Sequence, residues 1–121
     1  MRDAKERDIE KAILHWLTML PNVFAWKVHT SGIFDPTKKI FRPLQGFSIR
    51  GVSDIMGVIS PQGKIFAIEV KTPAGLKIHN RQKEQRAIEQ RAFIEAIRTY
   101  GGVSGIAVSI EDAQEILKGH I

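Results

Sequence analysis

The sequence predicts an α/β fold in which a mixed central sheet carries helices on both sides. Helical and β-type apolar patterns alternate in the order helix, strand, loop-rich insert, two strands, long helix, strand, helix. The 121 residues are 43% hydrophobic and 26% charged, which is an ordinary globular composition. A chain of this length predicts one domain, covering residues 1–121.

The first part of the chain predicts a helix, a strand and an insert. Pro21 and Asn22 end the helix, and residues 23–29 are apolar and β-branched enough for a strand. Residues 31–51 hold three glycines and two prolines, a density that predicts a loop or an irregular hairpin about Asp35-Pro36-Thr37. The apolar residues of the helix follow one helical face: Ile9, Ile13, Trp16, Leu17 and Leu20.

The second part predicts a β-hairpin and three further elements. Residues 55–59 and 64–70 are predicted strands, and the residues between them, 60–63, have the Pro and Gly pattern of a tight turn. Gly101-Gly102 closes the long helix, and Ser109 is a candidate N-cap for the last one. The three further elements are a helix over residues 81–100, a strand over 105–109 and a helix over 111–118.

Charge and composition restrict the classes of function. The net charge of +5 favours a polyanionic partner, nucleic acid before membrane. The absence of cysteine excludes a disulfide scaffold, a cysteine-ligated metal site and a thiol nucleophile. The sequence shows no apolar run of the roughly 20 residues that a membrane span needs, no apolar signal segment at its start and no phosphate-binding glycine loop. We therefore expect a cytoplasmic protein without a nucleotide cofactor.

The second strand of the hairpin carries charges inside an apolar run. Strand alternation places Glu69 and Lys71 on one face, and apolar residues on both faces indicate a central strand covered on both sides. Counting outward from the turn, Ser60 pairs with Gly63, which brings Asp54 opposite Glu69. The sequence therefore predicts that two carboxylates and a lysine converge at one end of the hairpin.

This set of groups suits a divalent cation and a phosphodiester. Two hard oxygen ligands with open water positions fit Mg²⁺ or Mn²⁺, which take few protein ligands and add substrate phosphate. Such an ion polarises a phosphodiester and generates hydroxide near neutral pH. Lys71 would orient or deprotonate the attacking water, or neutralise charge on the phosphorus oxygens.

The same positions carry a family resemblance. The segments concerned are Gly51-Val52-Ser53-Asp54, Ile68-Glu69-Val70-Lys71-Thr72-Pro73 and Glu89-Gln90-Arg91-Ala92-Phe93. They resemble the PD-(D/E)xK nuclease signature and, more narrowly, that of the virus-type replication-repair nuclease (VRR-NUC) family. The resemblance extends over most of the chain. Ser53 departs from it, because the family usually has proline at this position, which shapes the turn before the metal ligand.

The resemblance implies a restriction-endonuclease-like sheet and a metal-dependent endonuclease that hydrolyses DNA phosphodiesters. It assigns metal binding to Asp54, Glu69 and the Val70 carbonyl, with Lys71 assisting the water. It also implies a homodimer that cleaves branched DNA, such as four-way junctions, in a bacterial or phage-infected cell. A two-fold dimer would present two sites to the two strands of a symmetric junction. Two alternatives stay open: a non-catalytic DNA-binding subunit on the same fold, and an RNA nuclease.

Two further site positions are chosen between alternatives. Family members carry a glutamine on the helix after the lysine strand, and Gln82, Gln85 and Gln90 compete for that role. Helical periodicity puts Gln90 in the middle of the apolar face, whereas the spacing from the lysine favours Gln82. Folds of this class often add a glutamate from the first helix, where Glu6 lies closer to the centre of the apolar face than Glu10 does. We expect Gln90 and Glu6 to complete the site.

Basic residues flank the proposed site on two sides and are expected to hold phosphate backbones. No base-reading motif is visible, so we expect recognition of shape rather than of sequence. Trp16 and Trp26 are interpreted as core residues rather than as base-stacking platforms. The candidate nucleic-acid contacts are Lys77, Arg81, Lys83, Arg86 and Arg91 near the long helix, and Ser31, Lys38 and Lys39 in the insert.

Overall fold

A mixed β-sheet flanked by helices forms the frame of the fold. The computed structural model describes residues 4–29, 33–35, 40–42, 49–77 and 80–121, which form three α-helices and six strands. The prediction of an α/β fold is confirmed, and the arrangement is compatible with a restriction-endonuclease-like fold. The elements are α1 (Ala4–Thr18), β1 (Val23–Lys27), β2 (Ile33–Asp35), β3 (Ile40–Arg42), β4 (Ile55–Ile59), β5 (Lys64–Val70), a 3-10 turn (Gly75–Lys77), α2 (Arg81–Thr99), β6 (Val103–Ala107) and α3 (Ile110–Leu117).

Four of these strands form one sheet in the order β1-β4-β5-β6. β4 is antiparallel to both β1 and β5, whereas β6 lies parallel to β5. The predicted hairpin is confirmed, because Ile59 pairs with Lys64 and Ile55 pairs with Ile68. β5 is a central strand whose last five residues are all buried, as its two-sided apolar pattern predicts.

Different helices cover the two faces of the sheet. Phe66, Ile68 and Val70 point to one face and form the core with residues of α1 and α3, among them Ile13 and Leu117. α2 packs against β5 and β6. Because successive side chains of a strand alternate between faces, the residues of β5 that lie between the core positions face α2 instead. The predicted helices on both sides of the sheet are therefore present, and Glu69 lies on the α2 side.

Three elements differ from the predicted bounds by two residues or more, whereas the bounds of α2 and α3 differ by one residue. α1 begins at Ala4, before the apolar pattern starts, because its first turns are polar and leave no periodic signal. β1 ends at Lys27 rather than at residue 29. β6 spans Val103–Ala107 rather than 105–109, because Val103 pairs with Phe66 and the chain leaves the sheet before Ser109. Ser109 Oγ accepts a hydrogen bond from the Asp112 N–H, which confirms the predicted N-cap of α3.

The insert between β1 and β4 contains a separate two-stranded sheet. β2 and β3 are antiparallel, with Phe34 opposite Phe41. The irregular hairpin that the sequence allows about Asp35 is therefore confirmed, although its turn, residues 36–39, lies outside the described residues. In the described ranges, none of the helices combines the length and the apolarity that a membrane span requires.

The two tryptophans have different environments. Trp16 is half-buried and packs against the core, as expected. The interpretation of Trp26 as a core residue is wrong, because this residue is 40% exposed. β1 is an edge strand, and the register places Trp26 on the sheet face on which α2 covers β5 and β6. Trp26 therefore lies beyond the part of that face over which α2 packs.

Candidate active site

The end of the β4–β5 hairpin brings the predicted acidic residues together. The register that pairs Ile55 with Ile68 continues to Asp54 and Glu69, so the two side chains are neighbours on one face. Asp54 Oδ2 accepts a hydrogen bond of 2.8 Å from the backbone N–H of Val70. The Asp54 carbonyl accepts another, also of 2.8 Å, from the N–H of Val28. Asp54 is thus held by the strands on both sides of it.

Glu69 is the most enclosed acidic group of this cluster, with an exposed fraction of 2%. Its Oε2 accepts a hydrogen bond of 3.2 Å from Gln90 Nε2 and lies 3.7 Å from Lys71 Nζ. Its Oε1 is buried and has no hydrogen-bond partner among the described residues. One carboxylate oxygen of Glu69 is therefore oriented by protein groups, whereas the other is buried and accepts no hydrogen bond from the described residues.

The pKa of Glu69 is raised from 4.5 to about 9. Burial is the largest cause, followed by the negative charge and the proximity of the neighbouring Asp54 carboxyl group. The Lys71 ammonium acts in the opposite direction and lowers this pKa. Because two carboxylates this close repel each other when both are charged, the pair holds a proton at neutral pH unless a cation replaces it.

The donor set fits a small divalent cation. An unpartnered, buried carboxylate oxygen beside a second carboxylate is costly on its own, and a cation would compensate it. Within the described ranges, no three or more His, Asp or Glu side chains come together as a metal-binding group. Asp54, Glu69 and the Val70 carbonyl, the ligands that the resemblance assigns, would leave the rest of the shell to water or phosphate oxygens. Mg²⁺ commonly keeps such a shell.

α2 contributes Gln90 to the cluster. Of the three competing glutamines, Gln82 and Gln85 are exposed, whereas Gln90 is half-buried and reaches Glu69. The buried residue Ile94 lies four positions later on the same face of α2, which is why periodicity singles out Gln90. The structure thus places Gln90 beside the carboxylates and leaves the two alternatives exposed.

The two glutamates of α1 have different surroundings. Glu6 is half-buried, and its charge contributes to the raised pKa of Glu69. Glu10 is 2% exposed and forms an ion pair with Lys27 of β1, with Oε1 3.2 Å from Nζ. The structure therefore brings Glu6 within electrostatic reach of the cluster, while Glu10 neutralises a lysine at the edge of the sheet.

Gly51 brings the chain before Asp54 against α2, a role that the sequence does not reveal by itself. It adopts φ +78°, and a Cβ built on it would lie 2.4 Å from the backbone carbon and oxygen of Glu89 and 2.7 Å from the Gln90 nitrogen. Arg50 Nη1 lies 3.9 Å from Glu89 Oε2 beside this contact. The close approach links the segment that carries Asp54 to the helical turn that carries Gln90. In the sequence, the only sign of this close approach is the glycine at the start of the segment that leads to Asp54.

Two buried hydroxyls border the site. Thr72 Oγ1 accepts a hydrogen bond of 2.8 Å from the Gly75 N–H, which turns the chain directly after Lys71. This hydrogen bond stabilises the turn formed by residues 72–75. Ser53 is fully buried, and its Oγ has no hydrogen-bond partner among the described residues.

The predicted phosphate-binding residues of α2 are exposed. Residues 81–86 are exposed without exception, so the first turns of the helix have no buried face. Asn80 caps this end, because its Oδ1 accepts a hydrogen bond of 2.9 Å from the Lys83 N–H. Lys77 lies in the 3-10 turn, and nothing is described of its side chain; Ser31, Lys38 and Lys39 lie outside the described residues. The predicted nucleic-acid contacts that the structure shows as exposed are Arg81, Lys83, Arg86 and Arg91.

Comparison of the chain with models of protein families, with curated proteins and with solved structures finds no match.

Proposed function

We propose that this protein is a metal-dependent nuclease that hydrolyses phosphodiester bonds. More narrowly, we propose a structure-specific DNA endonuclease of the VRR-NUC type, as the resemblance of its motifs implies. The observation that carries the proposal is the cluster itself. Glu69 and Asp54 are neighbours at a strand end, Glu69 Oε1 is buried without a hydrogen-bond partner among the described residues, and Lys71 Nζ lies 3.7 Å from Glu69 Oε2.

Asp54, Glu69 and the Val70 carbonyl are the groups that would hold Mg²⁺ or Mn²⁺. When bound, such an ion supplies charge that polarises the phosphodiester and lowers the pKa of a water molecule. Asp54 is oriented for this role by the Val70 N–H. Gln90 orients Glu69 by donating a hydrogen bond to Oε2, whereas Oε1 has no partner among the described residues. Both carboxylates are thus preorganised by hydrogen bonds from neighbouring groups.

Lys71 is the group that would act on the attacking water and on the phosphate. Its ammonium follows directly on β5, and its side chain is 24% exposed, so it borders both the buried carboxylates and solvent. From this position it orients the water and offsets the negative charge that develops on the phosphorus oxygens.

Nucleic acid is the substrate that the charge of the molecule favours. Arg81, Lys83 and Arg86 are exposed on the first turns of α2, the helix that also carries Gln90. They can contact phosphates on either side of the cleaved bond without reading bases. We propose branched DNA as the substrate and a homodimer as the active form, both from the resemblance, acting in the cytoplasm of a bacterial or phage-infected cell.

The proposal is tested by nicking of a supercoiled plasmid in Mg²⁺, Mn²⁺ or excess chelator, followed by a panel of labelled forks, flaps, four-way junctions, duplexes and the corresponding RNAs. We expect cleavage that requires the cation and prefers branched DNA. Lys71→Ala should lower the cleavage rate about 10²–10⁴-fold while DNA binding survives. Lys64→Ala is the matched control, because Lys64 lies at the opposite end of the same strand.

The outcomes separate the alternatives. Cleavage undiminished in chelator, or full activity of Lys71→Ala, would reject the mechanism. Binding of branched DNA without cleavage in any cation would indicate a non-catalytic subunit. Cleavage of RNA in preference to DNA would assign the site to an RNA nuclease.

A further inference from the structure

Two aromatic side chains lie exposed on the open part of the sheet. Phe24 is 69% exposed and Trp26 is 40% exposed, and both belong to the edge strand β1. Their ring centroids are 5.5 Å apart and the planes are inclined by 49°. Large aromatic groups are normally buried because water solvates them poorly, so an exposed pair on one strand suggests a ligand that covers it.

The aromatic pair lies on the same sheet face as the proposed catalytic cluster. Trp26 pairs with Met56, and Asp54 precedes Met56 by two residues, so both side chains point to the face of Glu69. Diagonal neighbours of this kind are separated by about 7–8 Å across antiparallel strands. Trp26 is therefore a diagonal neighbour of Asp54 on this face, and Glu69 lies one strand further across the sheet.

Among the described residues, the helix that packs on this face of the sheet is α2, and it packs against the half formed by β5 and β6. α2 contacts β5 and β6, and there the facing residues Ala67 and Ser104 are buried. On β4 the corresponding residues Met56 and Val58 are only half-buried. The residues of this face thus become more accessible from β5 through β4 to β1. Asp54 and Glu69 lie where this change begins.

We propose that Phe24 and Trp26 form a stacking platform for an unpaired nucleobase of the substrate, adjacent to the phosphate that Asp54 and Glu69 receive. This inference rests on the proposed nuclease function and specifies the class of substrate. A base inside a duplex has its faces covered by its neighbours, whereas an unpaired base offers a face to an aromatic side chain. Nucleic acid with unpaired nucleotides next to the cleaved bond is therefore the substrate that this face favours.

A nucleobase suits this surface better than a second copy of the chain does. A stable protein interface buries about 800 Å² on each partner, contributed by about 20–30 residues. Among the described residues of β1 and β4, the accessible apolar groups of this face are two rings and two half-buried side chains, far fewer than such an interface needs. Contact with Phe24 also limits the rotation of the Trp26 indole, so less conformational freedom is lost on binding.

The test measures binding of end-labelled oligonucleotides by fluorescence anisotropy in excess chelator, so that no cleavage interferes. The ligands are a fork with an unpaired arm and a blunt duplex of the same sequence. Trp26→Ala should weaken binding of the fork about tenfold or more, without a comparable loss for the duplex, and Trp26→Phe should restore most of it. Tyr100→Ala is the matched control, because it removes an aromatic side chain that is 89% exposed at the end of α2.

A second arm locates the base. Forks with one abasic nucleotide at successive positions of the unpaired arm are bound to the wild-type protein and to Trp26→Ala. We expect one position at which removing the base weakens fork binding by the wild type as much as Trp26→Ala does. At that position, Trp26→Ala should bind the abasic fork no more weakly than it binds the intact one.

The possible results distinguish this inference from the proposed function. Equal weakening of fork and duplex, or additive losses at every abasic position, would overturn the stacking platform. Unchanged fork binding by Trp26→Ala would also overturn it. If the sedimentation coefficient of that variant then falls to that of a monomer, the two rings belong to an interface between copies of the chain. These results leave nuclease activity standing if the wild type still cleaves, whereas a wild type that binds no nucleic acid defeats both proposals.

Discussion

The carboxylate of Asp54 accepts a hydrogen bond of 2.8 Å from the backbone N–H of Val70. Asp54 precedes β4 and Val70 ends β5, so a side chain takes the place of a backbone acceptor where the hairpin ladder stops. The bond satisfies a backbone donor of a buried residue and fixes the direction of the carboxylate. In the proposed site, Val70 therefore has two roles: its N–H orients the Asp54 carboxylate, and its carbonyl would be a further metal ligand.

The raised pKa of Glu69 predicts a specific dependence of stability on pH in the absence of divalent cations. The folded protein holds a proton on this group up to about pH 9, whereas the unfolded chain releases it near 4.5. The free energy of unfolding should therefore fall as the pH rises between these values, by at most about 1.4 kcal/mol per pH unit for one proton. Below pH 4.5 this contribution no longer changes.

The measurement is the Tm in chelator from pH 5.5 to 8.5 for the wild type and for Glu69→Gln, which cannot titrate. The difference between the two Tm values should shift in favour of the variant as the pH rises. Added Mn²⁺ should raise the Tm of the wild type more at pH 8.5 than at pH 5.5, because it competes with the proton. Parallel Tm curves for the two proteins would contradict the assignment.

The contact between Gln90 and Glu69 predicts different effects for two glutamines of α2. Gln90→Ala removes the donor that orients Glu69 and should lower cleavage activity or cation affinity about 10–100-fold, as loss of such orienting groups does in metal sites. Gln82→Ala is the matched control and should leave the cleavage rate unchanged, because Gln82 is exposed in the first turn of α2, two residues after the N-cap. The measurement is the initial rate of cleavage by each variant over a range of Mn²⁺ concentrations. Equal losses in both variants would remove the basis for placing Gln90 in the site.

The close approach of Gly51 to α2 predicts a larger effect than its backbone conformation alone would cause. Gly51→Ala introduces a Cβ 2.4 Å from the Glu89 backbone, in addition to the left-handed strain of about 1–3 kcal/mol. The substitution must displace either the segment before Asp54 or the turn that carries Gln90. We expect a lower Tm and a lower cleavage rate per folded molecule.

Gly63→Ala separates strain from contact. Gly63 has a similar φ of +72°, but nothing lies within 4 Å of a Cβ built on it. It should lose stability from strain alone and retain the cleavage rate per folded molecule. Urea unfolding and single-turnover cleavage supply the two readouts, and a loss of activity in Gly63→Ala that matches Gly51→Ala would show that the contact with α2 is irrelevant.

The exposed start of α2 predicts the salt dependence of DNA binding. Each phosphate neutralised on double-stranded DNA contributes about 0.9 to the slope of log K against log salt concentration. Replacing Arg81, Lys83 and Arg86 by alanine should therefore reduce the magnitude of that slope by about 2–3. The helix should persist, since alanine favours helices and the Asn80 cap is untouched.

A control with the same loss of charge replaces three lysines elsewhere: Lys11 on α1, Lys64 at the start of β5 and Lys118 after α3. Equilibrium binding over a range of KCl concentrations should give this control a slope close to that of the wild type. A control slope that falls as far as that of the α2 variant would mean that only net charge matters and that the start of α2 is no interface.

Local patterns were sufficient for most of the fold. Apolar periodicity placed the helices because each buries one face, and the Pro and Gly of the 60–63 turn marked the hairpin. The boundaries of β6 were shifted, because strand pairing with Phe66, which is distant in sequence, determines where that strand begins. Trp26 was misassigned for a related reason, since the period of a strand does not reveal which part of a sheet face a helix covers.

The sequence by itself determined the element order, and it determined that Asp54 lies opposite Glu69, because a short turn leaves only one register for the strands beside it. Only the tertiary structure decided which groups from distant segments reach that pair. The rotation of α2 on the sheet brings Gln90 to Glu69. On α1, Glu10 forms an ion pair with Lys27, whereas the charge of Glu6 acts on the cluster. Such choices depend on how helices dock on a sheet, and docking is set by packing across the whole core rather than by neighbouring residues.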